Sequence, residues 1–397
     1  MDSLVRARNG TYLAFFAAGL ALTSWSSRIP TIKDQLGLTP GRLSTVLLGF
    51  AIGSMIGLPV SGMVIRRFGT RGAVGGGAAL LCLGQLVAGV GVDVFALPWL
   101  IMGGLVVAGI GMGVWEVGAN HEGAAVERRL GRSIMPWFHA SSSAATVVAA
   151  LIGSLLTFLD VPVLVHLIAS VACLAGASAM AVRSFFPDDA ATPEQAAGHP
   201  LAAWLETRTV LIGVVILVAA FAEGTAGNWM AVAMMEGHGL PDWLGVLGFA
   251  VFLTAMTTGR IAGARLLDRY GRVVVMAVLF VLAAVGCLLV VFGNAPLAFL
   301  GAAFWGVGAS LGFPVGMSAA SDDPARAAGR LSVVATLAYT AFLAGPPFLG
   351  FLGDRVGVLY ALLAVGVLVV PALAAVPALR PAPVVVAASG GTPQPRN

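Results

Sequence analysis

The chain has 397 residues, 58% hydrophobic and only 10% charged, with 52 glycines and a formal net charge of +4. A soluble domain carries about 25% charged residues, so a soluble enzyme, a nucleic-acid reader and a disordered scaffold are all excluded. The mean hydropathy of +0.95 makes the bilayer the solvent.

A helix needs about 20 apolar residues to cross the hydrocarbon core. Runs of that kind predict an all-α integral membrane protein with twelve transmembrane helices, at 11–30, 42–65, 72–92, 96–119, 136–159, 163–185, 209–235, 242–266, 273–292, 296–319, 331–352 and 358–380. The first run, preceded by Arg6 and Arg8, mimics a signal peptide. It lacks a small-x-small cleavage site and is read as span 1. With both termini placed in the cytoplasm, 18 of the 22 Lys and Arg residues fall on the inner side, Arg260 among them. Arg28, Lys33, Arg42 and Arg355 are the four outside. This asymmetry predicts an N-in, C-in topology. A single lysine among abundant Ala, Gly and Arg points to a bacterial inner membrane.

The polar stretch 186–208, with Pro187, Asp188, Asp189, Pro193 and Glu194, is expected to be a cytoplasmic linker between halves 1–185 and 209–380. Residues 381–397 are expected to form a disordered tail. The halves weakly repeat each other. Arg67-Phe68-Gly69 follows span 2 and Arg269-Tyr270-Gly271 follows span 8, an offset of 202. Gly131-Arg132 precedes span 5 and Gly329-Arg330 precedes span 11, an offset of 198. Two parallel six-span halves suit alternating access around a midplane site.

These features resemble the major facilitator superfamily over residues 11–380. Its loop signature, Gly-x-x-x-Asp-Arg-x-Gly-Arg-Arg, is matched by Gly62 through Arg71, with Arg66 in the acidic position. The second copy, Ala264 through Arg272, keeps the acid as Asp268 but has alanine at the first glycine. The resemblance implies that Arg67, Gly69, Arg71, Asp268, Arg269, Gly271 and Arg272 form gating loops. It also implies that the loss of acid at Arg66 throws the lock onto Asp268. Trp25-Ser26-Ser27-Arg28-Ile29-Pro30, Val126 through Arg132, and Phe138-His139-Ala140 resemble the rhizopine-transporter-like branch of that superfamily. The Gly-Pro pair of drug antiporters is absent from span 5, and Gly345-Pro346-Pro347 appears in span 11 instead.

Ionisable groups inside spans are costly and usually mark a pathway. Glu223 lies near the middle of span 7 and Glu116 in the inner third of span 4. The resemblance turns spans 1, 4, 7 and 10 toward a central cavity, so both acids become candidates for proton coupling; structural carboxylates satisfied by a neighbouring helix are the alternative. His139 is a candidate relay. Asn120 shares a helical face with Glu116. Arg28 is expected to pair with a span 7 acid, to meet a substrate anion, or to snorkel. Trp25, Asn228, Trp229, Trp305 and Tyr339 are candidate contacts for a polar solute, with packing as the alternative for each aromatic.

Other patterns lead nowhere. Gly308-Ala309-Ser310-Leu311-Gly312 matches a hydrolase nucleophile elbow but is read as mid-helix rather than strand-to-helix. His121-Glu122 lacks the second histidine of a zinc motif at Ala125. Cys82, Cys173 and Cys287 stand in separate apolar runs, so no metal site or disulfide framework is expected. The sequence therefore predicts a non-enzymatic, cofactor-free, monomeric secondary transporter. It moves a small polar solute, coupled to protons, with efflux or uncoupled facilitation as the alternative.

Overall fold

The computed structural model describes residues 2–131, 134–187, 202–323 and 326–381, and every regular element among them is helical. In chain order these are α1 (Asp2–Ser26), α2 (Ile29–Gln35), α3 (Pro40–Asp93), α4 (Pro98–Leu130), α5 (Met135–Phe158) and α6 (Val163–Ser184). A 3-10 turn (Ala202–Leu205) leads to α7 (Thr207–His238), α8 (Asp242–Phe292), α9 (Ala295–Ala309), α10 (Gly312–Ala320), α11 (Ala327–Val356), α12 (Val358–Ala361) and α13 (Leu363–Ala375).

By length and apolarity, 10 helical segments among the described residues can cross a membrane. That count takes α3 once and leaves out α1. Yet α3 has 54 residues, about 80 Å if straight, and a hydrocarbon core is about 30 Å thick. It turns at Gly69 (φ 70°, ψ 176°), and α8 turns at Gly271 (φ 75°, ψ 161°). Positive φ is cheap only for glycine, so the repeated Arg-aromatic-Gly motif is a pair of matching hairpin turns. Doubling α3 and adding α1 restores twelve spans.

Glycines set how closely these spans meet. On the first arm of α3, Gly53 lies against the backbone of Val106 and Ile110 in α4; on the second arm, Gly84 lies against Gly104 and Ala108. Both arms thus pack on one helix at one depth, which requires the reversal at Gly69. Small residues let transmembrane backbones approach. Gly84→Val should therefore fold poorly, because its side chain would meet α4 backbone that has no room to yield, at a cost of about 1–3 kcal/mol or more. Gly76→Val is the control, since nothing lies within 4 Å of a Cβ there. Thermal unfolding in detergent should separate the two variants; equal midpoints would contradict this packing role.

Contacts between the first and last six spans gather at the face away from the two glycine turns. There Lys33 pairs with Glu236, and the Gly41 amide donates to Asp354 at 3.0 Å. Ser44 donates to the Pro346 carbonyl at 2.6 Å and Ser154 to that of Trp243 at 2.8 Å. Phe158 meets Trp243 edge-on. At the turn face the charged pairs seen among the described residues lie within one half. Asp322 accepts from Arg272 and Arg208, each at 2.8 Å. Glu206 accepts from Arg330 at 2.6 Å, which holds its carboxyl below the usual carboxylate range. The halves are closed at one face and parted toward the other.

Several expected boundaries move. Apolarity ended span 4 at 119, but α4 continues to Leu130, because a helix leaving the bilayer no longer needs apolar side chains. Span 1 breaks before Arg28, and the chain restarts as α2 at Ile29-Pro30. Span 10 is two helices, α9 and α10, so Ser310 and Leu311 sit at a break rather than mid-helix. Most of the expected linker, and all but residue 381 of the expected tail, lie outside the described residues.

Candidate functional site

The centre of the site is an ion pair that the sequence reading divided between two roles. Glu223, half-buried in the middle of α7, accepts from Arg260 Nη2 at 3.0 and 3.1 Å through its two carboxylate oxygens. By charge asymmetry alone Arg260 falls among the cytoplasmic basic residues. It stands eleven residues before the Gly271 turn, about 16 Å along the helix axis, and belongs to the interior of the span. Its guanidinium makes two further contacts. Nε donates to the Ser310 carbonyl at the α9–α10 break (3.2 Å), and Nη1 reaches Ser143 Oγ on α5 (3.3 Å). Thr257, one turn before Arg260, reaches the Ser143 carbonyl at 3.5 Å. The pair in the second half therefore touches the first half through α5.

His139 lies one turn before Ser143 on α5, exposed, its ring edge-on to Phe15 with centroids 4.9 Å apart. The positive charge of Arg260 acts on it. Glu116 is also exposed. His121, five residues on, meets Thr70 beside the Gly69 turn at 3.0 Å, so Glu116 lies in the inner third of the span. Its charge reaches Tyr339 on α11 of the other half, which is itself exposed. An exposed carboxylate whose charge acts on the opposite half faces the parting between them. Asn120 and Asn228 donate to their own helices, at the Glu116 and Gly224 carbonyls, each at 2.8 Å.

The remaining candidates sit elsewhere. Trp25, Trp229 and Trp305 are buried in the core, Trp305 edge-on to Phe252, so none opens on the cavity in this conformation. Arg28 does not pair with Glu223, nor does it snorkel. It is buried near the closed face, donating to Thr157 Oγ1 at 3.2 Å and to the Val161 carbonyl at 2.5 Å. Of the gating residues, Gly69 and Gly271 make the turns. Arg71 donates to the Phe185 carbonyl, Arg67 and Arg269 lie over the rings of Phe68 and Tyr270, and Arg272 takes Asp322. Asp268 is exposed and carries no ion pair among the described residues. Asp322, absent from the sequence candidates, is the acid that binds Arg272 of the gating loop.

The fold and the mid-span pair define a multi-pass transporter, and the comparisons agree. The Major Facilitator Superfamily description matches residues 11–266 and 217–395. The chain belongs to that superfamily. It is 29% identical over 351 residues to an uncharacterized MFS-type transporter of Yersinia pestis, covering 87% of this chain and 88% of that one. It is likewise 29% identical over 367 residues to the membrane protein MosC of Rhizobium meliloti (89% and 86% covered), so the branch resemblance holds. Among solved structures, a nucleoside transporter, NupG, superposes with TM-score 0.78 at 12% identity, covering 95% of this chain and 99% of that one. The E. coli fucose:proton symporter FucP superposes with TM-score 0.66 at 14% identity, covering 96% and 100%.

Proposed function

We propose that this transporter moves a small polar solute by proton-coupled alternating access, with Glu223 as the proton carrier. The observation that carries this reading is the Glu223–Arg260 pair at mid-span, in contact with α5 of the opposite half. A carboxylate there must be neutralised whenever its surroundings dehydrate. Arg260 neutralises it in the conformation described, and a proton taken from cavity water does so once the solute or the moving helices draw Arg260 away. Glu116, Tyr339, Asn120 and Asn228 then offer acceptors and donors to the solute, and His139 relays protons toward the pair. In this reading the glycine-turn face is cytoplasmic, the structure is inward-open, and the chain works as a monomer in a bacterial inner membrane. Residues 1–185 and 209–380 act as its two rocking halves, joined through 186–208. The arginine-rich turns favour that orientation.

Thermal stabilisation by sugars, polyols, nucleosides and amines would first identify a solute. Its flux into proteoliposomes, with and without a pH gradient, then tests coupling. Uptake that follows the gradient is the expected result; flux indifferent to it would make the protein a facilitator, and flux opposite to proton entry would make it an exporter. An impermeant thiol reagent should label Ala196→Cys only from the cytoplasmic side.

A further inference from the structure

One contact of Arg260 has a cause written into the sequence. In an unbroken helix the carbonyl of Ser310 would accept the N–H four residues on. That residue is Pro314, which has no N–H. Ser310 is fully buried, and buried backbone carbonyls are normally satisfied. Arg260 Nε supplies the missing donor from α8. The approach depends on Gly259, where a Cβ would stand 2.6 Å from Ser310 Oγ. Resting on the reading of Glu223 as proton carrier, we propose that Arg260 is a positioning residue that ties the charge of Glu223 to the α9–α10 hinge, through the carbonyl that Pro314 leaves open.

A guanidinium is planar and rigid, so its contacts fix one another's geometry. While Glu223 is ionised, Nη2 is held by both carboxylate oxygens and Nε is held at Ser310. When Glu223 takes a proton from cavity water, the first hold weakens and the guanidinium turns. The Ser310 carbonyl is then left without its donor in a helix that cannot replace it. The hinge loosens, and α10, packed against α7 and α11, is released to move.

The test needs no solute. Hydrogen exchange of the segment 305–320 is followed against pH in the purified full-length protein, corrected for intrinsic exchange. In the wild type, exchange should rise as pH falls, by about threefold or more across the transition, a coupling of the usual size for such networks. Pro314→Ala restores the N–H, straightens the helix and should remove that rise, leaving the segment protected at every pH. Glu223→Gln should instead hold the segment in its loosened state, independent of pH. Pro314→Gly, which also supplies the N–H, should behave as Pro314→Ala does and guards against a packing artefact of the alanine methyl. If Pro314→Ala and Pro314→Gly keep the wild-type pH dependence while Glu223→Gln loses it, the hinge tie is wrong and the proton carrier stands. If all three keep it, both are wrong.

Discussion

Glu223→Gln should exchange solute across the membrane at close to the wild-type rate and fail to accumulate it. Glutamine keeps the shape but not the charge that holds Arg260, so it imitates the protonated state with its loosened hinge, while the side chain can neither release nor take a proton. Coupled one to one, a gradient of one pH unit supports about tenfold accumulation; in the variant that ratio should fall to unity. The pH dependence of uptake should flatten with it. Glu116→Gln is the comparison. Its position beside Tyr339 on the parting between the halves suits solute binding, so it should raise the solute concentration needed and leave the accumulation ratio intact. Retained accumulation in Glu223→Gln would transfer the proton to Glu116.

The second large effect lies in the partner. Arg260→Gln strips Glu223 of its counter-charge and leaves Ser143 and Ser310 with a shorter, weaker donor. Breaking a buried pair on one side costs about 3–5 kcal/mol and an exposed pair less than about 1. With both side chains about 30% exposed, the expected loss is about 2–3 kcal/mol by interpolation between those limits. The double variant, Glu223→Gln with Arg260→Gln, removes both charges and should be more stable than Arg260→Gln alone. A thermal-unfolding cycle should return a coupling of about 1 kcal/mol or more. A coupling near zero would mean that solvent already screens the pair and that it does not hold α7 to α8.

The spans were legible because the bilayer imposes one requirement, length of apolar run, that composition states outright. The Gly69 and Gly271 turns were legible because the same three residue types recur at one offset. Glu223 was legible because an acid inside a span is expensive. Arg260 was not, for a physical reason: near the end of an apolar run, five residues before Arg265, a cation serves equally well as a loop anchor. The break at Ser310 was hidden by glycines and alanines that suit a continuous helix, and Pro314 was the signal available. The tryptophans show a deeper limit. In a membrane protein, lipid, core and cavity wall all accept an indole, so hydrophobic pattern does not tell which way Trp229 or Trp305 turns. Arg28 was placed at the right end of span 1, but its partners, Thr157 and the Val161 carbonyl, are distant in sequence and give no pattern there.

The glycine seams of α3 and α4 also bear on what can move. Where two backbones touch without side chains between them, each carbonyl sits in a notch, and sliding by a fraction of a turn would drive main chain into main chain. The two arms of α3 and the whole of α4 are therefore one three-stave block that must travel as a piece. Motion is left to the seams between the halves, the meeting of α5 with α8 and of α3 with α11, which polar contacts close at one face. Spin labels paired within the block would report a constant separation through the working cycle, while pairs across those seams would report the stroke.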